Sequence, residues 1–474
     1  MRRIMSVAMT VATVTIGSAA AQTTGSLSQQ VREFIIIDGP VIALTDVRVI
    51  DGTGGPPREG QTIVIADGRI QQVGPSHSVD VPRGAQRLTL GGHTVIPGIV
   101  GMHNHTFYTT TGRSAQLSFS APRLYLASGV TTIRTTGSSS PYAELNLKRD
   151  IDRGRAPGPR MHITGPYLQG SSGAGGDMYH ITGPEDARRV VAYWAEEGAT
   201  WFKAYNQIGR AELGAAIEEA HSRGLKVTGH LCSVSFREAV ALGIDNIEHG
   251  FFTNTDYDPD KPDDTCPMDF RDALMEVDLD GPEVQATFRD MVGSGVAMTS
   301  TLAVYELFVP GRPPIDERMI RALADGPRQE YLRTREQLDI SGTTSISRIF
   351  RKAMDYERAF VNAGGLLAAG VDPTGNGGAL PGFGDQRNYE LLIEAGFAPE
   401  EVIQIMSANG AKILGVDDEL GTIEVGKIAD LVIIDGNPVS NPRDIRNVTI
   451  VFKDGLGYDS PRLIESVRGV VGVR

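Results

Sequence analysis

Short apolar runs alternate with amphipathic helical segments through most of the middle of the chain. This alternation is typical of βα units around a parallel sheet. The candidate strands, in chain order, are residues 99–103, 131–134, 161–164, 201–204, 226–229, 246–249, 297–300 and 367–371. Helical patterns lie between several of them, for example at residues 211–223. Eight strands in about 275 residues match an α/β fold of the (β/α)8 TIM barrel class, which we predict for residues 98–412.

The two ends of the chain have a different pattern, in which short β-rich runs lead into Asp-Gly turns. Such runs lie at residues 42–50, 62–65, 429–434 and 448–452. They are typical of antiparallel hairpins. We therefore predict one small β-sandwich domain formed by both ends of the chain, with an N-terminal part at 22–97 and a C-terminal part at 413–460. A C-terminal tail would follow at residues 461–474.

The first residues predict export. A basic start at residues 1–3 precedes a mostly apolar run at 4–17, and small residues then continue to Ala21. This is the layout of a signal peptide at residues 1–21, so we expect a secreted or periplasmic protein. A disordered apolar start of a cytosolic protein is the alternative. No later stretch approaches the ~20 apolar residues of a membrane span.

Charge and cysteine content exclude one class of partner and leave one question open. The formal net charge of −13 argues against nucleic acid as a general partner. Cys232 and Cys266 are the two cysteines. Export would permit a disulfide between them, but cysteine is also a common small core residue, so the sequence leaves both states open.

Two histidines lie at the end of the first candidate strand. Met102-His103-Asn104-His105 follows an apolar run, and alternate side chains along a strand share one face. His103 and His105 could therefore bind one metal ion. Two structural polar residues at the start of a loop are the alternative, but catalytic groups of TIM barrels gather at this end of the strands.

Four more polar residues end other candidate strands. They are Lys203 on the fourth strand, His230 on the fifth, His249 on the sixth and Asp372 on the eighth. Lys203 is unusual because lysine is almost never fully buried unless it is paired. The shared position of these residues predicts that all six side chains form one site at the mouth of the barrel.

These residues resemble the amidohydrolase superfamily, over nearly the whole mature chain. The segment from Pro97 to His105 resembles its first-strand signature, and residues 420–431 resemble its C-terminal signature. Residues 129–132 and 246–250 are similar to the branch related to imidazolonepropionase and to prolidase-like metal-dependent carboxypeptidases.

The resemblance implies a cofactor and roles for the six residues. Two divalent metal ions, expected to be Zn, would be bound by His103, His105, His230, His249, Asp372 and a carboxylated Lys203 that bridges both ions. His103, His105 and Asp372 would hold the more buried ion. A metal-bridging hydroxide would attack a carbonyl, with Asp372 as general base and then acid, so that Asp372 and Lys203 are the catalytic residues.

The residues after His230 favour one reaction within the superfamily. Deaminase branches resemble each other in lacking the strand-four lysine and in placing a Glu shortly after the strand-five His, whereas Leu231-Cys232-Ser233 follows here. We therefore expect hydrolysis of an amide or peptide C–N bond in a small-molecule substrate, such as a dipeptide or an N-acyl amino acid, by a homo-oligomer. A cyclic amide, lactone or other ester hydrolase, and a non-catalytic metal-binding protein, are the alternatives.

Three residues are weaker candidates for substrate binding. Tyr205 shares a strand face with Lys203 and could bind a substrate carboxylate or the oxyanion, or be an aromatic residue of the rim. Arg134, at the end of the second strand, could pair with a carboxylate or form a structural ion pair. His180 follows a glycine-rich loop and could polarise a carbonyl, but a solvated loop histidine is the favoured alternative. We expect the long segments at residues 251–295 and 301–366 to cover or shape the site.

Overall fold

The computed structural model of this 474-residue chain describes residues 24–110, 113–173, 178–375 and 378–472. The predicted signal peptide lies outside the described residues, as do residues 174–177 of the glycine-rich loop and the last two residues of the predicted tail. Among the described helices, none has the length and apolar character that crossing a membrane requires.

Strands and helices are labelled in chain order. The strands β1 to β21 are Ile35–Ile37, Val41–Val49, Arg58–Ala66, Arg69–Pro75, Gln86–Thr89, His93–Pro97, Ile99–Asn104, Phe107–Thr110, Arg113–Gln116, Val130–Thr135, Arg160–His162, Thr164–Gly170, Tyr179–Ile181, Trp201–Ala204, Lys226–Gly229, Asn246–Glu248, Ala297–Ser300, Leu367–Ala369, Leu431–Asp435, Val448–Lys453 and Leu456–Asp459. The helices α1 to α16 are Gln29–Arg32, Ser120–Ala127, Pro141–Asp152, Pro184–Glu197, Arg210–Ser222, Phe236–Leu242, Phe270–Glu276, Pro282–Gly293, Leu302–Glu306, Glu317–Ala322, Asp325–Ser341, Ser345–Asn362, Phe383–Glu394, Pro399–Met406, Ala408–Leu414 and Ser460–Glu465.

Strands from both ends of the chain share one nine-stranded sheet. Its order is β1-β21-β20-β19-β6-β2-β3-β4, with β5 beside β2. The two ends meet where β19 runs antiparallel to β6, from the pair Leu431 and Pro97 to the pair Asp435 and His93. Apolar side chains of β2, β3, β19 and β20 pack into one core. The predicted sandwich is thus a continuous sheet whose strands share a core.

The middle of the chain forms two sheets of parallel strands. One has the order β11-β10-β7, and the other has the order β13-β12-β14-β15-β16-β17-β18, which follows the chain apart from β13 at its edge. Backbone bonds link the two sheets, because the amides of Val371 and Asp372 donate to the carbonyl of His103 at 3.0 and 2.9 Å. This is a mixed α/β architecture of TIM-barrel-like form.

The strand bounds follow the sequence pattern closely. The strands predicted at 201–204, 226–229 and 297–300 coincide with β14, β15 and β17, whereas the third predicted strand divides into β11 and β12. Helix α1 and strand β1 precede the first β-rich run that the sequence shows, at residues 42–50. These two elements could not be predicted from the sequence, because α1 has four residues and β1 has three, which is too short for a periodic pattern.

Candidate functional site

A cavity of about 710 Å³ lies at the carboxyl ends of the parallel strands. Lys203 on β14, His230 after β15 and Asp372 after β18 all line it. Carboxyl ends of parallel strands meet at one face of such a fold, so residues distant in sequence converge there.

The six predicted side chains lie close together, with Lys203, His230 and Asp372 on the cavity wall and His103, His105 and His249 buried next to them. His103, His105 and Asp372 have ligand-capable atoms that all lie within 4.8 Å of one another. The Nζ of Lys203 lies 3.1 Å from the Nε2 of His103. The ring of His249 lies 4.6 Å from that of His103 and 4.4 Å from that of His230. The structure therefore brings together every residue of the predicted metal site.

Two of these residues have unusual backbone conformations. His249 has φ of 70° and Asp372 has φ of 51°, both in the left-handed region that favours glycine. Such conformations cost free energy and cluster at functional sites, where the surrounding structure holds them in place. The amides of Asp372 and Val371 both donate to the carbonyl of His103, and these hydrogen bonds hold the backbone of Asp372 in place.

Gly370 allows β18 to approach the first histidine closely. A methyl group at Gly370 would lie 2.6 Å from the Cα of His103, a distance that backbone atoms do not tolerate. The φ of Gly370 is not in the left-handed region, so its backbone conformation does not require glycine. The close packing against His103 does.

We expect Gly370→Ala to displace His103, to lower the free energy of unfolding by about 1–3 kcal/mol and to reduce activity. Urea unfolding and kcat/KM measure the two effects. Gly293→Ala is the matched control, because a methyl group at this helical position of α8 would meet nothing within 4 Å. Equal stability of the two variants would contradict the packing argument.

Burial sets the charge of the histidines. Desolvation lowers the pKa of His105 to about 4 and that of His230 to about 3, and it lowers the pKa of His249 well below the usual range. These imidazoles are neutral at pH 7, which is the form that binds a metal.

The pKa values of Lys203 and Asp372 are also shifted, as is common for groups at functional sites. Burial lowers the pKa of Lys203 to about 8, against the attraction of Asp372 and Glu248. Burial alone would raise the pKa of Asp372, but the neighbouring His103 and His105 hold it well below its usual range. The lysine is thus partly neutral near pH 7, and the carboxylate is ionised.

Glu248 is a residue of the site that the sequence analysis missed. Its Oε2 lies 2.7 Å from the Nδ1 of His103, and its Oε1 accepts hydrogen bonds from Thr228, Asn246 and Arg134. With Nδ1–H donating to this carboxylate, the Nε2 lone pair of His103 faces the other site residues. The available signal was an acidic residue within an apolar strand, which must find a buried partner.

The position of Arg134 corrects its assignment to substrate. Its side chain is fully buried, forms an ion pair with Glu248 and donates to the carbonyl of Met102 at 2.5 Å. It is not among the described residues that line the cavity. The structural ion pair, which the sequence left as the alternative, is the observed state, because β10 directs this side chain beneath His103 rather than toward the cavity.

The other substrate candidates have different positions. Tyr205 lines the cavity, with its ring 4.8 Å from that of His230 and 5.3 Å from that of Tyr167. Tyr167, which the sequence analysis did not single out, places its hydroxyl 3.5 Å from the Nε2 of His105. His180 lies on β13 beside Gln169 and outside the described cavity lining.

A disulfide joins Cys232 to Cys266, which resolves the question that the sequence left open. It connects the end of the fifth barrel-like strand to the segment 251–295. That segment contributes Arg271 to the cavity wall, and the segment 301–366 contributes residues that include Tyr305. Both long segments therefore shape the cavity, as predicted.

The donor set fits divalent metal ions. Neutral imidazoles and one carboxylate are ligands that zinc and similar ions prefer. The Nε2 of His249 is buried and has no hydrogen-bond partner among the described residues, although the Oδ2 of Asp372 lies 3.9 Å away. A bound cation would give this nitrogen a partner.

The comparisons with known proteins agree with this geometry. The sequence profile of the amidohydrolase family matches residues 94–273 and 319–456. No curated protein matches the sequence. A solved structure from Bifidobacterium longum assigned to the prolidases is 27% identical, with a TM-score of 0.65 over 90% of this chain and 98% of that one.

Two further solved structures show the same fold at lower identity. A Xaa-Pro dipeptidase with bound methionine is 21% identical, with a TM-score of 0.64 over 88% of this chain and 100% of that one. The bottromycin amidohydrolase is 19% identical, with a TM-score of 0.68 over 94% of this chain and 95% of that one. Because the profile covers more than half of the sequence, the chain belongs to the amidohydrolase family, whose members include hydrolytic enzymes acting on carbon–nitrogen bonds.

Proposed function

We propose that the protein hydrolyses the amide or peptide bond of small substrates, such as dipeptides and N-acyl amino acids, at a dinuclear metal site. One observation carries the proposal: three ligand-capable residues, two further histidines and a buried lysine lie close together beside one cavity, and Lys203, His230 and Asp372 line it. The prolidase and dipeptidase relatives support the choice of substrate.

The same residues define how the metal ions would be held. His103, His105 and Asp372 would bind one ion, and His230 and His249 the second, with Zn favoured by the nitrogen and oxygen donors. When bound, the ions supply Lewis acidity that lowers the pKa of water and polarises a carbonyl.

Lys203 would act in the site as a carbamate. Its amine, which burial keeps partly neutral, would form a bond to the carbon of CO₂ and release one proton. The product is an anionic oxygen donor in place of a buried ammonium group, which gives a physical reason for a lysine with a 2% exposed side chain next to His103.

Asp372 would move the proton of the reaction. Its carboxylate accepts a proton from the attacking water and passes it to the nitrogen of the leaving amine, so that no charged amide nitrogen has to leave. Its low pKa keeps it ionised and ready to accept. Tyr167 and Tyr205, on the cavity wall, would orient the substrate.

The finer architecture and the location are part of this proposal. The parallel strands would close as a (β/α)8 barrel over residues 98–412, and the segments 22–97 and 413–460 would together form the separate β-sheet domain. Removal of residues 1–21 would release the mature enzyme outside the cytoplasm.

We expect about two divalent ions per chain by elemental analysis and hydrolysis of dipeptides or N-acyl amino acids by the purified protein. Removal of the ions with a chelator should abolish hydrolysis and lower Tm, and re-addition of Zn²⁺ should restore both. Lactones and esters are tested in parallel. Cleavage of lactones alone would contradict the amide assignment, and a protein that takes up no metal would contradict the site itself.

A further inference from the structure

Arg271 places a positive charge in the wall of the cavity. It lies in α7 (Phe270–Glu276), within the segment 251–295, and is half-buried. Its Nε is buried and has no hydrogen-bond partner among the residues that the structure describes. An unsatisfied buried donor costs free energy, and a bound ligand with an acceptor would remove that cost.

The other charges of the cavity leave Arg271 available to a substrate. Asp372 lines the same cavity, but its carboxylate faces His103 and His105 at 3.4 and 3.1 Å. The guanidinium of Arg271 instead lies over the ring of Phe270, at 4.5 Å from its centroid. Among the described residues, no carboxylate forms an ion pair with Arg271. The polar edge of its guanidinium can therefore bind an incoming anion.

The carboxyl end of α7 is held by a lysine from a different helix. Lys352, on α12, donates hydrogen bonds from its Nζ to the carbonyls of Leu274, Met275 and Val277 at 3.3, 2.5 and 3.0 Å. A cation at the carboxyl end of a helix also interacts favourably with the exposed carbonyls there. These bonds fix the short helix that carries Arg271.

The segment that precedes the N-terminus of α7 is linked by a disulfide to the residues that follow His230. Cys266, five residues before Arg271, forms the disulfide to Cys232, two residues after His230. The backbone N–H of Cys266 also donates to the side chain of Gln207 at 3.3 Å. The covalent path from Arg271 to His230 is therefore short, and the cation is preorganised relative to the metal-site residues.

We infer that Arg271 binds the free carboxylate of the substrate and so restricts the enzyme to amides that carry one. The inference rests on the proposed function, whose dipeptides and N-acyl amino acids all have a carboxylate near the scissile bond. A guanidinium group presents planar paired donors that match a carboxylate, and this geometry gives specificity as well as charge.

The first test measures binding without turnover. Calorimetry compares 4-phenylbutanoate with 4-phenylbutan-1-ol, which lack a scissile C–N bond, on the metal-loaded wild type, Arg271→Gln and Arg289→Gln. Arg289 is the matched control, since it is exposed on α8 and outside the described cavity lining. We expect Arg271→Gln to weaken binding of the acid roughly 10- to 100-fold and to leave binding of the alcohol unchanged.

Two outcomes would overturn the inference. One is unchanged binding of the acid in Arg271→Gln, as expected if the metal ions alone hold the carboxylate. The other is equal weakening of acid and alcohol, which would indicate a general disturbance of the cavity. Arg271→Lys keeps the charge but loses the paired donors, and we expect it to restore only part of the affinity.

A kinetic test separates this inference from the proposed function. N-acetyl-L-phenylalanine and its carboxamide differ in the carboxylate alone, and Arg271→Gln should raise KM for the acid with a much smaller change in kcat. If the wild type binds 4-phenylbutanoate through Arg271 but cleaves neither compound nor any dipeptide, the proposed function fails. If the wild type cleaves both compounds equally well, the carboxylate inference fails and the amide hydrolase remains.

Discussion

Asp372→Asn is expected to lower kcat/KM for an amide substrate by about 10²- to 10⁴-fold, the usual contribution of a positioned proton-transfer group. The asparagine side chain has nearly the same shape, so it still fits beside His103 and His105. It cannot accept the proton of the attacking water, and it replaces an anionic oxygen ligand with a neutral one. Steady-state kinetics on metal-loaded protein measures the effect, and elemental analysis of the same sample reports the metal content.

Asp186→Asn is the control for this substitution. Asp186 is also buried, but its carboxylate accepts hydrogen bonds from Tyr179 and Thr182 at the start of α4, and it does not line the described cavity. We expect it to keep nearly full activity. A metal-loaded Asp372→Asn protein as active as Asp186→Asn would show that proton transfer does not involve this carboxylate.

Glu248→Leu is expected to lower the free energy of unfolding by about 3–5 kcal/mol, because it leaves the buried guanidinium of Arg134 without its counter-charge. The change would also remove the acceptor of the Nδ1–H of His103, so metal affinity should fall about 10- to 100-fold. Urea unfolding and metal titration measure the two effects.

A double-mutant cycle isolates the pair itself. The variants are Glu248→Leu, Arg134→Met and the two combined, since an apolar pair removes both buried charges together. We expect the double variant to be more stable than either single variant. Strictly additive losses would show that the two groups are not coupled. An unchanged KM in Arg134→Met would agree with its structural position beneath the site.

The strands and the residues of the candidate site could be predicted from the sequence because their signals are local. An apolar run such as 201–204 has a fixed side-chain alternation, so its strand and the position of Lys203 at its end follow from covalent geometry. The six site residues were found because each lies at or just beyond the end of such a run. By contrast, β1 and β21 pair at the edge of the sheet, and strands of three and four residues carry no repeating pattern.

Long-range partners could not be predicted in this way. Arg134 was a candidate for either a substrate carboxylate or an ion pair. The tertiary structure brings its guanidinium into an ion pair with Glu248, which lies 114 residues away in the sequence. Cys232 and Cys266 likewise carried no sign of whether their sulfurs meet. Both decisions depend on the arrangement of segments far apart in sequence, which no local pattern encodes.

The sequence by itself determined which residues stand at strand ends, and therefore which side chains could form a metal site. The tertiary structure decided what surrounds them: Glu248 bonds to His103 across 145 residues, and Arg271 reaches the cavity from a separate segment. The physical reason is that alternation along a strand is a property of the local backbone. The partner of a buried charge is set by register and packing, which exist only once the sheets have formed.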